Sequence, residues 1–532
     1  MEKRITIKGL RMVIGILPFY LFTFLPLSAQ NPSWAKKAAS AVFTLKTFDA
    51  NGTLLTSGNG FFINENGEAV SNYTPFKGAH RAIVIDAQGK EWPVDCLTGA
   101  NDMYDVAKFL VTVKKCTTLP LAAASSANGS TVWLLPYTAK KDPACTKGSV
   151  SQAETFQNGY DYYTLNMEVD EHHVGCPVLN DNGEVVGMLQ PAAAGQTAIS
   201  YAVSARFAAD MKFKGLSINE PALRGTAIAK ALPDSYDEAM VALYMGSSVM
   251  EETQYDDYIN RFIRQFPNAS DGYIYRARNH VAREEFSAAD EDLKQAVKVA
   301  EKKDDAHFQY AQITYQKELY QQDKPFAAWT LERALEESKE AYNSNPQAVY
   351  LEQQAQILYT MKRYDDAFTL YNELSKSELR SADIFYAAAQ CKLQMDDKKA
   401  TLAMLDSAVN TFTRPYIKTA APYLRARAEL LMDQRRYQLA LNDMNDVVAL
   451  EPNDPVLWAQ KASYELRVNL ADQALVSAKE CLRLDPTGSD GYLMSGIALC
   501  MKGEKQEGLQ NLQKAKELGD SQAQTFIDKY GN

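Results

Sequence analysis

The sequence predicts a multidomain chain, an all-β part over residues 30–215 followed by an all-α solenoid. Three observations carry this. All six Asn-Gly pairs, starting at Asn51, Asn59, Asn66, Asn128, Asn158 and Asn182, lie before residue 215, and Asn-Gly is the strongest short hairpin signal. Between them run short apolar or alternating segments, the mark of a β-sandwich or a pair of small barrels. From about Ser235 the pattern turns helical and repeats every 34 residues.

Length and charge set the bounds. A chain of 532 residues is expected to hold two or three domains. Its hydrophobic content of 46% and charged content of 23% are ordinary globular values. The net charge is −10; residues 1–29 carry Lys3, Arg4, Lys8 and Arg11 against Glu2, a net +3, so the remainder stands at −13. That balance argues against nucleic acid as the main partner, because phosphate contact needs a basic footprint.

The N-terminus reads as an export signal. A basic run precedes an apolar stretch at 13–27, and Leu27-Ser28-Ala29 offers the cleavage site. The expected location is the periplasm or the cell exterior, with a membrane involved only if residues 1–29 stay attached. The seven cysteines are Cys96, Cys116, Cys145, Cys176, Cys391, Cys481 and Cys500. An exported chain can pair some of them, and the odd count leaves at least one over. No CxxC or Cys/His cluster appears, so no zinc site is expected.

In the first part, strands are expected at 41–48, 60–63, 81–86, 106–113, 131–135, 160–165, 184–189 and 198–203. The stretch HHVGCPVLNDNGEVVGM at 172–188 reads as two apolar runs around an Asn182-Gly183 turn. It resembles the nucleophile segment of trypsin-like serine proteases, especially the bacterial HtrA type: Gly175, Pro177, Leu179, Gly183-Glu184 and Gly187 fall in register. The resemblance runs from about Trp34 to Met211. Residues 57–64, SGNGFFIN, look like the opening strand; 67–76, GEAVSNYTPF, like the strand and turn carrying the catalytic histidine; Asp105-Val106-Ala107 like the aspartate motif; and 200–203, SYAV, like the closing strand.

The resemblance implies a double β-barrel and a Ser-His-Asp triad. Its three positions hold Val174, Thr74 and Asp105, so two of the three working groups are replaced. His172 stands where the family has an oxyanion-loop glycine. Cys176, two positions after the serine slot, is the candidate rescue nucleophile, with His80, His172 and His173 as candidate bases. The plainer expectation is that Cys176 packs or pairs, that Asp105 serves a turn or cap, and that the histidine pair lies in a solvated loop.

In the second part, Ala428, Ala462 and Gly496 recur at 34 residues, as do Ala440, Ala474 and Gly508, and Pro452 and Pro486; Trp458 and Tyr492 begin their units. Small residues at two positions let paired helices approach, and a proline closes each unit. This resembles tetratricopeptide repeats (TPR). Ala277/Ala289, Ala355/Ala367 and Ala388/Ala400 keep the 12-residue spacing, and Ala311 pairs with Ala334 only across an insertion near 321–329. Residues 255–267 look like a worn first unit. The expected layout is a signal at 1–29, the barrels at 30–215, a linker and degenerate repeat at 216–269, repeats at 270–521 and a cap at 522–532.

No P-loop, dinucleotide fingerprint, HExxH or EF-hand loop is present, so no cofactor and no metal are expected. The functional expectation is an exported pseudoprotease that binds a protein or peptide through a repeat groove. The alternatives are an active endopeptidase with repeats recruiting substrate, and a purely structural envelope component.

Overall fold

The computed structural model describes residues 31–139, 141–192 and 198–531. The chain divides into two compact units between Gln265 and Phe266. The expected signal segment lies outside the described residues.

The first unit opens with a short helix, α1 (Ala35–Ala38). Its first barrel follows: β1 (Val42–Phe48), β2 (Leu54–Phe62), β3 (Glu68–Ser71), β4 (Arg81–Ile85), β5 (Glu91–Asn101) and β6 (Val106–Val111), closed in the order β1-β2-β3-β6-β5-β4. The second barrel holds β7 (Thr131–Leu134), β8 (Thr146–Phe156), β9 (Tyr160–Asn166), β10 (Pro177–Leu179), β11 (Val185–Gln190) and β12 (Ile199–Ser204), closed in the order β10-β11-β12-β9-β8-β7. All ladder pairs are antiparallel. Closure removes the exposed sheet edges that twelve short strands would otherwise present.

Alternating residues fill each barrel. Phe43, Phe62, Phe76 and Phe109 form an aromatic cluster in the first. Val132, Leu134, Val150, Leu165, Val178 and Leu189 fill the second. Val42, Phe61, Val70 and Val106 pack with Leu135, Leu179, Met188 and Val203 between them. Five of the six Asn-Gly pairs are turns whose glycines have left-handed φ, from +80° to +92°. The sixth is not a turn: Asn59-Gly60 lies inside β2. There a Cβ on Gly60 would meet the Val70 carbonyl oxygen at 2.4 Å and the Phe43 ring at 2.7 Å, so the glycine is required by close packing.

Helix α2 (Ala205–Asp210) follows β12. The segment after it, expected as a linker from 216, is instead part of the first barrel. Helix α3 (Pro221–Arg224) and the strand-like run beyond it place Leu223 and Ile228 in the barrel core. Leu97 N–H donates to Ala229 O, and Ala231 N–H donates to Leu97 O, both at 2.8 Å. Helices α4 (Tyr236–Val249) and α5 (Glu252–Gln265) complete the unit. Arg261 holds Asp95 with two charge-assisted bonds of 2.8 and 2.9 Å.

The second unit is all helical. Its pairs are α6 (Ser270–Ala282) with α7 (Phe286–Val299), α8 (Lys303–Tyr320) with α9 (Leu331–Ser344), α10 (Ala348–Thr360) with α11 (Tyr364–Leu374), α12 (Ala382–Gln394) with α13 (Lys398–Val409), α14 (Ala421–Asp433) with α15 (Tyr437–Leu450), α16 (Pro455–Arg467) with α17 (Ala471–Leu484), and α18 (Ser489–Lys502) with α19 (Lys505–Glu517). A last helix, α20 (Ala523–Gly531), packs Phe526, Ile527 and Tyr530 against the final pair. The small positions are sealed: Ala277, Ala289, Ala311, Ala334, Ala355, Ala367, Ala388, Ala428, Ala440, Ala462 and Ala474 are all fully buried, while Ala400 stays partly exposed. The insertion between α8 and α9 is anchored by Trp329, whose Nε1–H donates to Asp290 Oδ1 at 2.8 Å. Among the described residues no helix is long and apolar enough to cross a membrane.

Candidate functional site

Thr74 opens a one-turn 3-10 helix, Thr74–Phe76, with Pro75 at its first turn. Beneath it Tyr73 is buried, and its OH donates to Ala222 O at 2.6 Å. The 216–231 segment therefore supports the position the family gives to histidine. Asp105, just ahead of β6, has a left-handed φ of +48°. Its Oδ1 accepts from the Thr74 N–H at 2.6 Å and from the Thr74 hydroxyl at 2.8 Å. Its Oδ2 is buried with no partner. Asp105 thus caps the Thr74 turn, filling with a hydroxyl and an amide the place an imidazole N–H would take.

Val174 follows a second one-turn 3-10 helix, Glu171–His173. Its N–H donates back to Glu171 O at 3.2 Å, and the His173 N–H donates to Asp170 O at 3.0 Å. Asn59 fixes this turn from the first barrel: its Nδ2 donates to His172 O at 2.6 Å and to Val174 O at 3.1 Å. Gly175 has φ +86°, and a Cβ there would meet Asn59 O at 2.2 Å, so the turn tolerates only glycine at that point. A cavity of about 520 Å³ opens beside it, lined by Thr44, Ser57, Asn59, Asn72, Tyr137 and His172 among others. His172 is exposed. His173 is half-buried in the same turn, and its Nδ1 is enclosed without a protein partner.

The structure brings Thr74 and Asp105 together and places Val174 on the cavity. It removes Cys176 from both. Cys176 is fully buried in the second barrel among Val132, Val178 and Leu189, and burial pushes its thiol up to about 12. His80 is exposed at the start of β4 and hydrogen-bonds through its backbone to Phe48 O. All seven cysteines are free thiols. Among the described residues no group of His, Cys, Asp or Glu is arranged to hold a metal. Asn59 was the residue sequence reading missed: as half of an Asn-Gly pair it signals a turn, and nothing in the sequence marks it as the latch of a loop 113 residues away.

Two six-stranded antiparallel barrels followed by stacked helix pairs define a trypsin-like double barrel joined to a TPR-like array. Comparison with known proteins agrees in both parts. Residues 58–188 match the trypsin-like peptidase domain family, and residues 251–491 match the ChAPs, the Chs5p-Arf1p-binding proteins. A DnaJ homolog subfamily C member 3 homolog of Dictyostelium discoideum is 27% identical over 153 residues, covering 27% of this chain and 30% of that one. The small glutamine-rich tetratricopeptide repeat-containing protein 2 of Mycosarcoma maydis is 29% identical over 101 residues, covering 19% and 29%. The chain thus spans less than a third of the length of these two curated relatives. Among solved structures, the active form of the Rv3671c protease from M. tuberculosis is 19% identical with a TM-score of 0.31, over 41% of this chain and 96% of that one. The serine endoprotease from Yersinia pestis is also 19% identical, with a TM-score of 0.29, over 36% and 65%.

Proposed function

We propose that the chain is an exported pseudoprotease whose helical repeats bind a protein partner in the cell envelope or outside the cell. The observation that carries this is the Thr74–Asp105 pair. In the trypsin-like mechanism a serine attacks the carbonyl, a histidine takes its proton, and an aspartate orients that histidine. Here the aspartate orients a threonine, and a threonine hydroxyl accepts no proton near neutrality. Val174 offers no nucleophilic atom. Its N–H, one of the two expected oxyanion donors, is spent on Glu171. Burial of Cys176 speaks against a displaced thiol nucleophile. The repeat-containing relatives support the binding half of the reading. A cleft without a triad still holds an extended chain, since strand addition and peptide binding need none of its groups.

The test is proteolysis of casein by the purified full chain beside its Cys176→Ala form. Neither is expected to cleave above background. Cleavage that disappears in Cys176→Ala overturns the proposal in favour of a displaced thiol nucleophile. Reproducible cleavage that survives the substitution and co-purifies with the chain overturns it in favour of an unrecognised centre.

A further inference from the structure

The cavity beside Val174 carries polar groups that the protein itself leaves unused. Its volume of about 520 Å³ falls within the range of about 300–1,000 Å³ common to small-molecule sites. Asn72, just past β3, lines it although it is only 6% exposed. The Asn72 Oδ1 accepts from the Ser71 hydroxyl at 3.4 Å, and its Nδ2 has no partner among the described residues. His173, on the Glu171–His173 turn, also lines the cavity, and its Nδ1 is enclosed and unpartnered. Enclosed polar groups cost free energy until something bonds them. Two such groups, from different barrels, point to an occupant with polar atoms of its own.

The rest of the lining narrows the chemistry of that occupant. Ser57, Glu171 and His172 are exposed there, and among the described residues none of their side chains is bonded. No lysine or arginine lines the cavity, so a phosphate or carboxylate ligand would find no counter-charge. Tyr137 donates its OH to Asp86 O at 3.2 Å, which holds its ring in place as part of the wall. The free groups are thus a mixture of donors and acceptors: an amide, a hydroxyl, two imidazoles and one carboxylate. A sugar hydroxyl both donates and accepts, so it suits such a mixture. A sugar ring also presents an apolar C–H face that packs on an aromatic side chain.

We propose that this cavity binds a neutral sugar, with Ser57, Asn72, Glu171, His172 and His173 on its hydroxyls and Tyr137 against its ring. The proposal rests on the pseudoprotease reading, which leaves the space beside Val174 free for a ligand that is not cut.

The test is saturation-transfer difference NMR of the full chain with glucose, galactose, mannose, N-acetylglucosamine, maltose and cellobiose in turn, and with a Gly/Ser pentapeptide as control. Saturation is expected to reach the ring protons of at least one sugar and not the peptide. Glu171→Ala with His172→Ala removes two exposed side chains, so the melting temperature should hold while the affinity for that sugar falls about tenfold or more. Ser57→Ala, the loss of one exposed hydroxyl, should weaken it less and reads the same seat if the double variant fails to fold. Transfer to none of the six sugars overturns the proposal, and so does transfer that the folded variants leave unchanged. Transfer to the peptide in place of the sugars overturns it in favour of a peptide seat. Absence of sugar binding together with absence of casein cleavage removes the seat and leaves the pseudoprotease reading standing, whereas casein cleavage removes that reading itself.

Discussion

At the scale of single residues, the chemistry of the first unit is decided by what each side chain can reach. Asp105 is caught by Thr74 through two hydrogen bonds, and Asn59 ties down the turn before Val174. Cys176 illustrates how position in sequence misleads. It stands two residues from the serine slot, but β10 begins at Pro177, and the chain has already turned inward. A buried thiol raised to about 12 stays protonated at neutral pH. We therefore expect iodoacetamide to spare Cys176 and Cys96, both sealed, while it modifies the partly exposed Cys116, Cys145 and Cys500. Peptide mass mapping before and after denaturation reads this directly. Rapid modification of Cys176 in the native protein would contradict the burial. The positions that the resemblance aligns with the histidine and serine, Thr74 and Val174, were legible in the sequence because the flanking motifs keep their spacing. The latch by Asn59 was not, since it joins residues far apart in the chain.

At the scale of elements, the 34-residue period became helix pairs because the small positions are the places where paired helices touch. At α18 and α19 even a methyl group is excluded: a Cβ on Gly508 would meet Cys500 Sγ at 2.4 Å. The turns repeat too: Arg435, Asn469 and Gly503 all adopt left-handed φ at the end of their first helices, and only the last is glycine. A buried ion pair recurs as well. Arg276 grips Asp292 in one unit and Arg427 grips Asp443 in another, each with two bonds and each 16 residues apart. Asp443 is 3% exposed. Arg427→Ala is expected to cost about 3–5 kcal/mol, because it strands a buried charge, whereas Arg427→Met with Asp443→Leu should recover most of it. Urea denaturation midpoints of the three proteins measure this; equal stability of Arg427→Ala and wild type would count against it.

Lys230 gives a second test at this scale. It lies 6% exposed on the run beside β5, its ammonium donating to Thr226 O, and burial pushes its pKa down from 10.5 to about 8. Between these two values the unfolded chain holds a proton that the folded chain has released, so stability rises with pH across that window. At neutral pH the folded state carries the buried charge at a cost on the order of 3 kcal/mol. Lys230→Met is expected to raise the neutral-pH melting temperature and to flatten its rise above pH 8. A mutant with the wild-type pH profile would show that Lys230 is not the titrating group.

At the scale of the molecule, the boundary expected at 215 falls inside a folded body. A fragment ending at 215 loses Leu223 and Ile228 from the first barrel and Arg261 from Asp95, whereas one ending at 265 keeps them. Each buried aliphatic contributes about 2 kcal/mol, so the shorter fragment should unfold at clearly lower denaturant, read by near-UV circular dichroism. Coincident unfolding curves would mean that the added segment contributes nothing to the barrel. The sequence by itself determined the two-part architecture, the hairpin within 172–188, the seven pairs of small positions and the presence of Thr74 and Val174 at the positions the resemblance aligns with histidine and serine, because each is written in local spacing or residue type. β5 and β8 escaped it: both are long and largely polar, β5 contains Pro93, and several of their residues are exposed, so they lack the apolar signal that marks a strand. Only the tertiary structure decided that residues 216–231 belong to the barrel, that Asp105 caps Thr74 and that Cys176 is sealed away. Those are contacts between residues distant in sequence, set by how barrels close and helices stack, and no local pattern encodes them.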